Sequence, residues 1–102
     1  MKFIVTGGPS AELMLANLEE IKTGGRPSFI SELRFPDEHQ FKIMGEIEDI
    51  SRNRAEAECY TVRLKHVRAI GDVTEEDKKR TPRRLAINLY YSNIRSGEAE
   101  ED

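Results

Sequence analysis

The sequence predicts an α+β protein: a small, mainly antiparallel β-sheet or barrel of about five strands, with one N-terminal α-helix packed on it. Three observations lead to this prediction. The chain has 102 residues, the common size of one domain. One segment near the N-terminus repeats apolar residues at helical spacing. Most of the remaining chain alternates apolar and polar residues with the period of two that is typical of strands.

The first two elements are a short strand and the helix. Phe3-Ile4-Val5 is an apolar run that favours a strand, and Gly7-Gly8-Pro9 ends it. The helical pattern begins at Ser10, a candidate N-cap, and stops at Gly24-Gly25. Its apolar positions are Ala11, Leu15, Leu18 and Ile21. We expect this helix to pack against the sheet.

Four further strands follow the helix. Alternation places one set of apolar residues on the core face: Phe29, Leu33 and Phe35; Phe41, Ile43 and Ile47; Tyr60, Val62 and Leu64; Leu85, Ile87, Leu89 and Tyr91. A turn at 51–54 is predicted to join two of these strands as a hairpin, with Ile43 opposite Val62. Beyond His66 the apolar residues change parity, which predicts a bulge or the end of that strand.

The domain organisation is simple. Residues 1–96 are predicted to form a single β-rich domain with a charged loop at 72–84. Residues 97–102 are predicted to be a disordered acidic tail, because they contain no large apolar residue. Within the charged loop, Thr74 and Asp77 have the spacing of a capping box, which would support one helical turn.

Charge and cysteine content limit the function classes. The 16 Lys and Arg against 19 Asp and Glu give a net charge of −3, which argues against a protein built mainly to hold nucleic acid. Cys59 is the single cysteine, so an internal disulfide is excluded and a reducing compartment fits. No stretch approaches the roughly 20 apolar residues of a membrane span, and no secretory signal is recognisable. We therefore expect a cytoplasmic protein without a membrane partner.

No residue pattern indicates catalysis or metal binding. The spacing of His39, Cys59 and His66 forms no known ligand set, so no metal or cofactor is expected. Glu46 and Glu48 share a strand face, as a pair of catalytic carboxylates would. Basic residues on the neighbouring strand account for them by cross-strand charge pairing. We therefore predict that the protein is not an enzyme.

Basic residues are the candidate binding residues. They lie in the charged loop and on the outer sheet face, together with one aromatic residue: Lys78, Lys79, Arg80, Arg83, Arg84, Arg63, Lys65 and Tyr90. Basic loops beside an aromatic on a β-surface are typical of proteins that bind single strands. The acidic run Glu75-Glu76-Asp77 lies beside the basic loop residues and, with the mild net charge, favours a mixed-charge surface instead.

The function expected from these features is that of a non-enzymatic protein-interaction module: an adaptor, an inhibitor or a subunit of a larger assembly. A small viral or phage protein would fit this size. Its partner would be another protein or a second copy of itself, bound in part by pairing of sheet edges. The alternative is a small β-barrel that binds single-stranded nucleic acid or a nucleotide through the basic residues of 78–84 and the outer sheet face.

Overall fold

The computed structural model describes residues 2–8, 16, 18–52, 59–89 and 95–100. Their strands form a closed, six-stranded antiparallel barrel in which sequence neighbours pair and the last strand returns to the first. The strands are β1 (Lys2–Thr6), β2 (Ser28–Arg34), β3 (Gln40–Arg52), β4 (Tyr60–Ile70), β5 (Leu85–Leu89) and β6 (Arg95–Ala99). The described residues also include two short helical segments, α1 (Leu18–Lys22) and α2 (Glu75–Arg80). The mainly antiparallel β architecture is thus confirmed.

The barrel interior is apolar because alternate residues of each strand point inward. The buried core side chains are Phe3, Val5, Phe29, Leu33, Phe35, Phe41, Ile43, Ile47, Ile50, Val62, Leu64, Val67, Leu85, Ile87 and Leu89. The predicted core faces of the four central strands are confirmed by this list, except that Tyr60 is half-buried. Tyr91 lies outside the described residues.

The predicted placement of the helix is wrong. Within the N-terminal segment only residue 16 and Leu18–Lys22 are described as helical, and residues 9–15 and 17 lie outside the described part of the chain. The helix with a capped N-terminus is α2, in the predicted charged loop on the C-terminal side. The Thr74–Asp77 capping box accounts for it: each side chain accepts from the other residue's backbone N–H at 3.1 Å.

The predicted tail boundary is also corrected. Residues 97–99 belong to β6, which pairs with both β1 and β5. This segment lacks a large apolar residue because the barrel has no room for one, and not because the segment is disordered. A Cβ atom at Gly97 would lie 2.8 Å from Val5 Cγ2. Since β6 closes the barrel, no described strand is the end strand of an open sheet, whereas β3 and β4 extend beyond their neighbours on one side. Residues 101–102 lie outside the described residues.

The hairpin of β3 and β4 is longer than predicted. The pairing of Ile43 with Val62 is wrong: Val62 pairs with Ile50, and Ile43 pairs with Ala69. Ser51 and Arg52, expected in the turn at 51–54, belong to β3 and pair with Thr61 and Tyr60, and residues 53–58 lie outside the described residues. The parity change after His66 is a bulge, as the sequence predicted, and a second register shift lies between Ile47 and Asp49 of β3.

Candidate functional site

Two surface depressions gather charged side chains of the barrel. One lies between α2 and the turn that joins β2 to β3, and the other lies over the β4 bulge. Within the described residues, no group of three or more His, Cys, Asp and Glu side chains is placed to hold a metal ion. None of the described helices has the length and apolar character needed to cross a bilayer.

The first depression, of about 560 Å³, is built by contacts between α2 and the β2–β3 turn. His39 Nε2 lies 2.6 Å from Asp77 Oδ1, and Arg80 Nη2 lies 3.1 Å from Asp37 Oδ2. The Arg80 guanidinium carbon also lies 4.1 Å from the centroid of the Phe35 ring, a cation–π contact. We call this set of contacts the α2 latch, because it fastens the helix to the barrel.

Hydrogen bonds keep both carboxylates of the α2 latch ionised. The pKa of Asp77 is lowered mainly by the backbone N–H of Thr74, with His39 contributing further, while burial opposes the shift. The pKa of Asp37 is lowered mainly by the backbone N–H of His39, and Arg80 adds to it. The Thr74 hydroxyl accepts in the capping box. The charged groups of the α2 latch are thus paired with one another. These pairs hold α2 against the barrel, which indicates a structural role.

The second depression, of about 740 Å³, has a predominantly basic lining. We call it the basic groove, and it is lined by Glu48, Lys65, His66, Val67, Arg68, Arg83 and Arg84. It lies on the outer face of the barrel, where β4 meets the segment that connects α2 to β5.

The bulge in β4 shapes the basic groove. His66 and Val67 together oppose Gly45 of β3, and His66 has a φ of 52°, a conformation rare for a residue with a side chain. Val67 turns into the core, where its Cγ2 would lie 3.0 Å from a Cβ atom at Gly45, while Arg68 is exposed. The Val67 N–H donates to the Arg83 carbonyl at 2.9 Å. This bond fixes the Arg83 backbone beside the bulge.

Positive charge dominates the groove. Arg84 donates a short hydrogen bond to Glu48, the one carboxylate of the described lining. The pKa of Glu48 is lowered first by this bond and then, against the effect of burial, by the charges of Arg84, Lys65 and Arg26. Several cations therefore act on a single carboxylate.

Arg68 and Arg83 are the groove cations that its carboxylate does not neutralise. Among the described residues, neither has a carboxylate oxygen within ion-pair distance. Arg63, which is exposed on β4 like Arg68, does form ion pairs. Its Nη1 lies 3.7 Å from Asp49 Oδ2, and its Nε lies 3.4 Å from Glu100 Oε2. Two exposed guanidinium groups without a described ion-pair partner therefore line one site.

The structure brings together three of the predicted binding residues. Lys65, Arg83 and Arg84 all line the basic groove. His66 and Arg68 join them, although the sequence analysis did not select either as a binding residue. The signal for Arg68 was the parity change after His66, which turns one residue inward and the next outward.

The other predicted binding residues lie elsewhere. Lys78 and Arg80 are on α2, where Lys78 Nζ lies 3.1 Å from Glu75 Oε1 and Arg80 belongs to the α2 latch. Lys79 is exposed on the same helix, and Arg63 is in the ion pairs already described. Tyr90 lies outside the described residues. The basic run of 78–84 is therefore two separate surfaces.

Aromatic side chains are absent from the described lining of the basic groove. Tyr60, which is half-buried, lies at the opposite end of β4 from the bulge. The groove thus has cations but no described ring on which a base could stack.

No family model matches the chain, and no curated protein or solved structure is significantly similar to it. Geometry and charge of the basic groove are therefore the basis for assigning a function.

Proposed function

We propose that the chain is a non-enzymatic protein-interaction module, an adaptor, inhibitor or assembly subunit, that docks an acidic segment of another protein in the basic groove. The observation that carries the proposal is the pair of unneutralised guanidinium groups, Arg68 and Arg83, in a groove that also contains Lys65 and Arg84. Complementary charge steers association and penalises wrong partners, so such a groove favours a carboxylate-rich segment.

The closed barrel supports docking through side chains. Because β6 pairs with both β1 and β5, no described strand ends an open sheet that a partner strand could extend. The groove provides side chains instead: its floor is β4 at the bulge, and its wall is held by the Val67–Arg83 backbone bond. A preformed site of this kind reduces the ordering cost of binding.

Nucleic-acid binding is the weaker candidate. Base stacking contributes roughly 1–3 kcal/mol per base in single-strand binders, and no aromatic side chain is among the described groove residues.

Fluorescence anisotropy with two defined probes tests the proposal. A labelled peptide of alternating Asp and Gly and a mixed-sequence single strand, as DNA and as RNA, would be titrated at ~50 mM and ~200 mM salt. The peptide should bind, and the double variant Arg68→Gln/Arg83→Gln should weaken it by about tenfold or more, since each lost cation removes a charge-assisted contact.

The matched control makes the same charge change on α2. Lys78→Gln/Lys79→Gln also removes two positive charges, but from outside the basic groove. It should weaken peptide binding much less than the groove variant does. Equal losses in both variants, or tighter binding of the single strand than of the peptide, would contradict the proposal.

A further inference from the structure

The two residues with unneutralised guanidinium groups line one groove and lie on chain segments that a backbone hydrogen bond joins. Arg68 follows the bulge in β4, and Arg83 belongs to the segment between α2 and β5. The hydrogen bond from the Val67 N–H to the Arg83 carbonyl, 2.9 Å long, joins the two segments next to these residues. Both side chains line the same groove and both residues are exposed. Two like charges therefore line a single groove, on segments whose backbones are joined.

Guanidinium groups distinguish anions by the number of acceptor oxygens and by charge. A carboxylate carries one charge and two acceptor oxygens, so a single guanidinium fork can satisfy it. A phosphate monoester carries a charge of roughly −1.5 to −2 at pH 7 and three strong acceptor oxygens, so it can accept from two forks at once. Lys65 lies in the same lining as a further cation.

We propose that the basic groove recognises a phosphate monoester on the docked segment, that is, a phosphorylated side chain of the partner protein held between Arg68 and Arg83. This inference rests on the proposed function, since it names the chemistry of the segment that the groove accepts. The groove volume of about 740 Å³ is sufficient for a phosphorylated side chain together with its flanking backbone.

The strained bulge is consistent with a binding role. A residue with a side chain at positive φ costs roughly 1–3 kcal/mol and persists only where the surrounding structure enforces it. His66 occupies this conformation at φ 52°, beside the groove, and the bulge is what separates inward Val67 from outward Arg68. Backbone strain thus places one of the two guanidinium groups.

Three peptides with identical flanking residues test the inference. Their central residue is phosphoserine, Glu or Ser, and their affinities for the full chain are measured by isothermal titration at neutral pH. The phosphoserine peptide should bind at least about tenfold more tightly than the Glu peptide, the factor expected for one additional charge-assisted hydrogen bond.

Variants that keep the positive charge distinguish recognition by the planar guanidinium fork from general attraction between opposite charges. Arg68→Lys and Arg83→Lys retain the positive charge but lose the planar fork, so each should remove most of the preference for phosphoserine over Glu. The control Arg34→Lys makes the same exchange at an exposed position of β2 outside the groove and should leave the preference unchanged.

Each alternative outcome has a distinct meaning. Equal affinity for the phosphoserine and Glu peptides would overturn the phosphate inference and leave the proposed function standing. This holds whether or not Arg83→Lys lowers both affinities. A phosphoserine preference that survives both Lys variants would also overturn the inference, because the phosphate would then bind elsewhere. Failure of all three peptides to bind would overturn the inference and the proposed function together.

Discussion

Gly97→Ala should destabilise the protein because β6 closes the barrel at a point with no room for a side chain. Gly97 is buried and pairs with Phe3 of β1 and Ile87 of β5. A Cβ atom there would lie 2.8 Å from Val5 Cγ2, against an ordinary carbon–carbon separation of about 3.5–4.0 Å. Overpacking costs typically about 1–3 kcal/mol, and the lower chain entropy of Ala in the unfolded state offsets about 0.4–1 kcal/mol of it. A net loss of about 1–2 kcal/mol is expected.

Urea unfolding followed by far-ultraviolet circular dichroism measures this loss. With a slope of about 2 kcal/mol per molar urea, the middle of the usual range for small proteins, the midpoint should fall by roughly 0.5–1 M. Glu98→Ala, an exposed change on the same strand, is the control and should shift the free energy of unfolding by less than about 0.5 kcal/mol. Adding Val5→Ala removes the atom in the way, so the two substitutions should couple favourably by about 0.5–3 kcal/mol. A Gly97→Ala protein as stable as the wild type, with no coupling to Val5→Ala, would refute the packing of β6.

Three further predictions concern the core and the α2 latch. Leu64→Ala, at a fully buried position, should lower the free energy of unfolding by about 2–5 kcal/mol in the same urea assay, and an unchanged midpoint would contradict the core assignment. Thr74→Ala removes the N-cap and should lower the free energy of unfolding by about 0.5–2 kcal/mol. Hydrogen exchange in α2 should also become faster, and unaltered exchange there would contradict the role of the cap. Since the folded-state pKa values of Asp37 and Asp77 lie below the usual 3.8, their contribution to stability is complete above pH 3.8 and is lost as the pH falls through the folded values. Asp77→Asn should therefore make the free energy of unfolding fall less steeply as the pH is lowered at the acid end. The same pH dependence in the variant and the wild type would show that the carboxylate of Asp77 does not make this contribution.

The sequence predicted the barrel interior well because alternation is a local signal. Phe29, Leu33 and Ile87 are buried where a period of two places them. β6 was missed for a physical reason: its core-facing position is Gly97, and a strand that packs through a bare backbone leaves no apolar pattern to read. The acidic residues around it have the composition of a tail, yet its backbone bonds join two strands that are distant in sequence.

The hairpin register could not be fixed by pattern alone. Ile43 and Ile50 are both apolar and both buried, so the apolar pattern allows either of them to lie opposite Val62. The choice depends on two bulges, whose energetic advantage is the burial of Val67 and Ile50 in one continuous core. Only the three-dimensional packing contains that information.

The candidate site was predictable in part. The charge pattern selected Lys65 and Arg83, which lie in the basic groove, but closeness in sequence also grouped Arg83 with Lys78 and Lys79. The capping box turns 75–80 into a helix that carries those lysines to a separate surface. Arg68 was not selected, although the parity change after His66, where the structure has a positive φ, indicated that its side chain points away from the core.

Mapping of the binding site by amide chemical shifts tests the central claim most directly. The ¹⁵N-labelled full chain would be titrated with the alternating Asp–Gly peptide, and the shifts of the backbone amides recorded at each step. Docking in the basic groove predicts that the largest shifts fall on residues 65–68 and 83–84, that α2 shifts little, and that Arg68→Gln/Arg83→Gln removes the response. Shifts concentrated on α2 or on strands away from the bulge, or a response that survives the double substitution, would contradict the claim that this groove is the docking site.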